Sequence, residues 1–330
     1  MVNVNPSKEY INEMIDGIKN KSALAMGRFI SFVENESEAA YDALDRIYFL
    51  GGHAYVIGIT GSPGAGKSSL VGRMTEIFRN KGLSVGIIGV DPTSPFTGGA
   101  VLGDRIRMSE ISRDDGVFIR SIATRGALGG LSMACKDVIK IMDGFGKDII
   151  IVETVGVGQD EIDIVKDADA CILVLMPGMG DKIQMLKAGI MEIGDMFVIN
   201  KADFEGADTL FLETKLMLNL SRTKRLWDPP VLKTIATKKQ GIVELVEAIL
   251  KYKNFQIENN ILNKRRRKRI EMELSSMIEK EISRYLDKLF KSKFSIFSID
   301  KIVENIIDKK GSPYSWTKKI IKQINETNFK

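Results

Sequence analysis

The hydrophobic period changes twice along the chain. From about residue 7 to 50, apolar residues recur at three- and four-residue steps: Ile15, Ile18, Leu24, Ala25, Phe29, Ile30 and Phe32, then Ala39, Ala40, Ala43, Leu44 and Ile47. This spacing predicts two helices, broken near Asn35 to Ser37, with an interruption of the first around Asn20 to Ser22. From residue 54 short β-branched runs take over: AYVIGIT (54–60), LSVGIIGVD (83–91), GVFIRSI (116–122), KDIIIVET (147–154), ACILVLM (170–176), MFVIN (196–200) and PVLKTIA (230–236). Helical stretches separate most of them. Continuous apolar strands alternating with helices predict an α/β fold, a mostly parallel sheet flanked by helices on both faces. Right-handed crossovers bring the loops after the strands to one edge, where chemistry is expected.

Beyond residue 240 the helical period returns. Ile270, Leu274, Met277, Ile278, Ile282, Tyr285, Leu286 and Leu289 form an apolar stripe of about five turns, and a second amphipathic stretch covers 298–309. The organisation expected is an N-terminal helical region (1–52), a central α/β domain (53–252) and a C-terminal helical region (253–330). Charge separates the last of these. The chain carries +5 overall, but residues 253–330 carry +9 and residues 1–252 carry −4.

The basic peak is KRRRKR at 264–269. Such a run can meet nucleic acid or an acidic membrane surface. On a helix, however, six consecutive basic residues spread around more than one turn and make no single stripe. No aromatic residues are interleaved, as a single-strand platform would want. A solvated or partner-facing helix is the expectation, with no nucleic-acid or membrane partner.

Composition narrows the functional classes. Hydrophobic residues make up 44% and charged residues 28%, ordinary for a globular protein. The longest apolar run, ACILVLM, is far short of the ~20 residues that span a bilayer. The N-terminal segment is polar and carries Glu9 and Asp16, unlike a secretory or transit peptide, so a cytoplasmic location is expected. Two cysteines, Cys135 and Cys171, and one histidine, His53, are too few for a four-ligand zinc site. Ser-His or Cys-His catalysis would rest on His53 alone.

The first strand runs into GSPGAGKS at 61–68, and a helical stretch follows. That context is the one a phosphate-binding loop requires. Gly61, Gly64 and Gly66 let the backbone wrap an anion closely. Backbone N–H groups point inward and the helix N-terminus adds partial positive charge, so Ser62, Pro63, Ala65 and Ser69 join the glycines, Lys67 and Ser68 as expected nucleotide-binding residues. Lys67 is placed to reach β- and γ-phosphates, and the Ser68 hydroxyl to ligate Mg²⁺. NKAD at 200–203 follows the strand MFVIN. The Asp203 carboxylate only accepts hydrogen bonds, and guanine offers two donors where adenine offers no such pair. Asn200 suits the purine's other edge, and the Lys201 stem can cover the ring. Ala236 and Thr237 of TIATKKQGI (234–242) can close the pocket through their backbone groups. Together the motifs predict a GTP- and GDP-binding domain.

The remaining loops supply further candidates. Glu153 ends a strand, where an acid can control Mg²⁺, and Gly156 can offer its N–H to the γ-phosphate. Gln159 lies three residues beyond that glycine, so it is not assigned to the attacking water. Asp91 opens a long glycine- and hydroxyl-rich loop that runs to Asp104, and both are candidate acids near Mg²⁺. ATRGALGGLS (123–132) contributes Arg125. PGMGDKIQMLKAG (177–189) contributes Gln184 and Lys187, three residues apart on one helix side.

GITGSPGAGKSSL, VDPTSPFTGGAVLGDRIRM, ATRGALGGLS, ETVGVGQDE, PGMGDKIQMLKAGIMEI and NKAD occur in this order. Over roughly 20–250 the chain resembles the MeaB/ArgK-like family, GTPase chaperones of adenosylcobalamin-dependent methylmalonyl-CoA mutase. It also resembles the wider class holding the signal-recognition-particle and nickel-chaperone GTPases. The resemblance implies a P-loop GTPase that hydrolyses GTP to GDP and phosphate and gates cofactor loading of a cobalamin-dependent acyl-CoA mutase. It implies Asp91, Asp104 and Glu153 around Mg²⁺, a third switch at 177–189 facing the partner, and a homodimer built partly through the C-terminal helices. The catalytic candidates are Lys67, Glu153, Gly156, Gln184 and Lys187. Two alternatives stand beside this. A metallochaperone-type GTPase would need Cys and His ligands that are scarce here. A nucleotide-dependent scaffold would bind GTP for another target.

Overall fold

The computed structural model describes residues 6–35, 37–91, 111–123, 130–154, 168–178, 190–220, 226–291 and 299–328. Three N-terminal helices stand where two are expected: α1 (Lys8–Lys19), α2 (Ala23–Glu34) and α3 (Glu38–Tyr48). The interruption at Asn20 to Ser22 is a full stop. Lys21 takes a left-handed φ of 61°, which ends α1. The Ser22 hydroxyl then accepts from the Ala25 N–H at 3.3 Å and opens α2.

Among the described residues seven strands follow: β1 (Tyr55–Gly61), β2 (Val85–Asp91), β3 (Val117–Ala123), β4 (Ile149–Thr154), β5 (Ala170–Leu175), β6 (Met196–Ile199) and β7 (Val231–Lys233). They form one sheet in the order β3-β2-β4-β1-β5-β6-β7, and every neighbouring pair is parallel. Strands buried on both faces read as unbroken apolar runs, and so they do here. The order reverses beside β1, which lies between β4 and β5. In such sheets ligands bind at the carboxyl ends of the strands flanking the reversal.

The period-two alternation sorts the side chains. Ile149 and Ile151 of β4, with Tyr55, Ile57 and Ile59 of β1, face α4 (Lys67–Asn80) and α8 (Ile242–Glu258). Ile150 and Val152 face the other way, onto α1 to α3 and α5 (Gly130–Phe145). At the β7 end, Leu173, Phe197 and Ile199 pack with α7 (Ala207–Leu220). A short helix, α6 (Ile190–Ile193), precedes β6. The N-terminal helices therefore share a core with the sheet. Arg120 of β3 pairs with Glu34 of α2 and donates to Ser31 Oγ at 3.1 Å. Asp143 of α5 accepts from the N–H groups of His53 and Ala54 at 3.0 and 2.8 Å, which fixes the entry to β1.

The chain divides into two compact units, residues 1–263 and 264–330. Helix α9 (Ile261–Lys291) carries the basic run and leads into the second unit, which adds α10 (Ile299–Ile307) and α11 (Pro313–Asn328). Arg267 pairs with Glu271 in the open. Ile270, Leu274, Met277, Ile278, Ile282 and Tyr285 are exposed along α9. Among the described residues no helix is long and apolar enough to cross a membrane.

Candidate nucleotide site

The loop from β1 to α4 depends on two glycines. Gly61 has φ 148°, and a Cβ there would lie 2.1 Å from the Val174 carbonyl oxygen of β5. Gly66 has φ 85° and caps α4. Lys67, Ser68 and Ser69 form the first turn of that helix, where backbone N–H groups and the helix dipole favour an anion. Ser69 and Pro63 are exposed, and Ala65 is buried.

Lys67 is only 5% exposed. Its ammonium donates to the carbonyls of Gly61 at 2.7 Å and Ser62 at 3.0 Å, within the loop itself. Ser68 Oγ donates to Glu153 Oε1 at 2.6 Å. Glu153 is the penultimate residue of β4, paired in register with Ile59 of β1, and is nearly buried. Beside it, Thr154 Oγ1 donates to Thr60 Oγ1 at 3.0 Å, both fully buried, so the ends of β1 and β4 are tied together.

The base side begins where β6 ends. Asn200 is 2% exposed. Its Nδ2 donates to the Ala65 carbonyl at 2.8 Å, and its Oδ1 accepts from Thr234 Oγ1 at 3.0 Å and the Ala236 N–H at 3.2 Å. Lys201 has a left-handed φ of 55°, with its ammonium 5.7 Å from the centre of the Phe204 ring. Asp203 Oδ2 accepts from Lys238 Nζ at 3.0 Å. That hydrogen bond holds the Asp203 carboxyl below the usual range. Ala236, Thr237 and Lys238 form one 3-10 turn after β7. Lys239 ends the turn with φ 57° and donates to Glu76 Oε2 of α4 at 2.8 Å. Arg73 pairs with the same carboxylate. Burial pushes Glu76 up, but the bonds from Lys239 and Arg73 outweigh it and hold the group low.

Residues 26–290 match the family model described as the methylmalonyl-CoA mutase-associated GTPase MeaB. The chain belongs to this GTPase family. It is 48% identical over 317 residues to a candidate GTPase of Pyrococcus abyssi, covering 95% of this chain and 97% of that one. It is 33% identical over 290 residues to the GTPase ArgK of Escherichia coli strain K12, covering 87% and 88%. A crystal structure described as a LAO/AO transport system kinase matches with a TM-score of 0.70 and 24% identity, over 97% of this chain and 99% of that one. That last likeness is one of fold.

For this MeaB-family chain, the sheet edge gathers Gly61 to Ser68, Glu153, Asn200 and Ala236 into one connected set, with Asp203 joined to it through Lys238. Asp91 closes β2, and its side chain lies outside the described residues. So do Asp104, Arg125, Gly156, Gln184 and Lys187. Sequence reading missed three features: the Thr60–Thr154 hydroxyl pair, the Asp143 anchor, and the consecutive Lys238 and Lys239. The lysines stand in a loop motif, but nothing in their spacing names Asp203 and Glu76 as partners. Chemically the arrangement offers backbone donors and an ammonium for phosphates. It adds two oxygen donors for a hard cation and a carboxylate for a base with two N–H donors.

Proposed function

We propose that the protein binds GTP at this edge, hydrolyses it to GDP and phosphate, and uses the cycle to gate cofactor loading of an adenosylcobalamin-dependent methylmalonyl-CoA mutase. The observation that carries the nucleotide reading is the bond from Asn200 to Ala65. It joins the phosphate loop to the loop bearing Asp203. A site for phosphate and a site for guanine are thereby held as one.

In this reading Lys67 turns from the Gly61 and Ser62 carbonyls to the phosphate oxygens, where negative charge builds during transfer. Ser68 and Glu153 already bring two hard oxygens together, a donor set that suits Mg²⁺. They would hold the ion, with Asp91 and Asp104 as further candidates. Bound there, Mg²⁺ supplies neutralisation of charge on the phosphates. Gly156, Gln184 and Lys187 are the candidates for completing the site when a partner docks, and Ala236 and Thr237 for closing it over the base. The exposed stripe from Ile270 to Tyr285 supports a homodimer that covers it.

The mutase reading is supported by the description of the family that residues 26–290 match. It is tested by steady-state phosphate release with purified mutase titrated in. Intrinsic hydrolysis should be slow and rise at least ~10-fold, which requires only ~1.4 kcal/mol of transition-state stabilisation. Lys187→Ala should blunt that rise more than the basal rate. A fast basal rate that the mutase leaves unchanged, with unchanged GTP affinity, would sink the chaperone reading.

A further inference from the structure

Two consecutive lysines hold the turn beside the candidate base site in opposite directions. Lys238 reaches forward to Asp203 on the loop after β6, at 3.0 Å. Lys239 reaches back to Glu76 on the helix that the phosphate loop opens, at 2.8 Å. The backbone permits this because Lys239 is left-handed, which turns successive side chains apart. Between them the turn spans the two halves of the site. Glu76 is itself steadied by Arg73, one turn back on α4.

The geometry of base reading makes this spacing matter. Guanine presents N1–H and the N2 amino group side by side, and a carboxylate meets both only if its plane is fixed. Asp203 is a short, partly exposed side chain that water alone would leave to rotate. A carboxylate has about four lone-pair sites. Lys238 takes one on Oδ2 and leaves enough for two guanine donors. The base must also sit at a set distance from the phosphates, and Lys239–Glu76 ties the turn to the phosphate-loop helix.

We propose that Lys238 and Lys239, with Glu76, are positioning residues for guanine recognition: Lys238 orients the Asp203 carboxylate, and the Lys239–Glu76 pair fixes its turn against the phosphate loop. This rests on the reading of Asp203 as the guanine acceptor, and the test separates the two. The readout is the ratio of GDP to IDP affinity, measured by displacement of a fluorescent nucleotide. Inosine lacks the N2 amino group, so the ratio reports how well the carboxylate meets both donors. A merely structural lesion weakens both nucleotides alike and leaves the ratio in place.

Lys238→Met and Lys239→Asp should each weaken GDP about two- to fivefold, the size of a lost exposed ion pair, and should shrink the GDP-to-IDP ratio. Aspartate is chosen at 239 because it tolerates the left-handed backbone. Glu76→Gln should shrink the ratio to a similar extent, and adding it to Lys239→Asp should cost little more, because both variants break the same pair. Lys238→Arg should retain the ratio. Asp203→Asn is the control for the underlying reading and should turn preference toward xanthosine nucleotides. If Asp203→Asn switches the base but the lysine variants leave the ratio unchanged, the positioning role is overturned and the base reading stands. If Asp203→Asn leaves guanine preference intact, the base reading fails, and the positioning role with it. Thermal melts of each variant show that the fold is kept, as expected for side chains that are exposed or half-buried.

Discussion

Gly66 lies so close to Asn200 that a Cβ on it would stand 2.4 Å from the Asn200 side-chain nitrogen. The glycine at the end of the phosphate loop and the first residue of the NKAD motif therefore fit each other. Gly66→Ala should do two things. It forces alanine into a left-handed φ of 85°, at a cost of about 1–2 kcal/mol. It also pushes the carboxamide off the Ala65 carbonyl. Asn200→Ala removes the carboxamide outright and leaves buried groups without their bond, at about 1–3 kcal/mol for each group left unsatisfied. In the double variant the clash has no target. The two losses should sum to more than the double variant shows, by about 1 kcal/mol, in a double-mutant cycle of urea unfolding. Simple additivity would mean that the two residues do not meet.

Lys67→Ala should cut GTP hydrolysis ~100-fold or more in kcat/KM, about 2.7 kcal/mol of transition-state stabilisation. The ammonium is nearly buried and held by two loop carbonyls, so it is already near where phosphate charge would develop. Phosphate release under steady-state conditions measures the effect. Near-normal turnover would remove Lys67 from the reaction.

Much of the fold is legible in the sequence, for a physical reason. Strands covered on both faces are apolar through most of their length, so β1, β4, β5 and β6 stand out as runs. The edge strands β3 and β7 are shorter apolar runs broken by Arg120 and Lys233. The phosphate loop is legible because only glycine tolerates the positive φ and close contact at Gly61 and Gly66. The break between α1 and α2 is harder to read. Lysine at position 21 is not a residue that advertises a left-handed turn, so the interruption looks like a kink within one helix. Side-chain partners are harder still. Asn200 reads as a purine contact from its motif, yet its side chain is engaged with Ala65, Thr234 and Ala236. Those partners lie on other loops, and sequence spacing says nothing about which loops meet.

The N-terminal helices should behave as part of the sheet's core. Phe29 of α2 is fully buried in the same cluster as Ile150 and Val152 of β4. Phe29→Ala should cost about 3–5 kcal/mol, the usual price of emptying a large core site. The loss should show in the unfolding of the whole first unit, followed by tryptophan emission in a Trp316→Phe background, where the signal is that of Trp227, which packs against the far face of the sheet. If Trp227 unfolds at an unchanged midpoint while the helices melt early, the N-terminal region is an independent body.

Lys147 gives a prediction in pH. It lies just before β4, is 4% exposed and donates to the Gly116 carbonyl at 2.8 Å, with the Phe145 ring centre 5.5 Å away. Burial first, and then the charge of Arg79, push its pKa down from 10.5 to about 8, while Asp114 and Asp148 pull it back only in part. Arg79 is itself spent on Asp114, donating to both carboxylate oxygens at 3.1 and 3.0 Å. Between about 8 and 10.5 the unfolded chain therefore binds more protons at this position than the folded one. Stability from this group must rise with pH through that window. Below about 8 the folded protein bears the full cost of keeping the ammonium charged; above 10.5 the cost is gone. Lys147→Met keeps most of the stem and removes the charge, and the Gly116 carbonyl still accepts from the Val85 N–H. The variant should be more stable than the parent near pH 7, and its advantage should shrink steadily from pH 8 to 10. Urea midpoints of both proteins across that range measure the difference, in which the other titrating groups cancel. Parallel profiles would mean that Lys147 titrates like an ordinary lysine and that its burial carries no electrostatic cost.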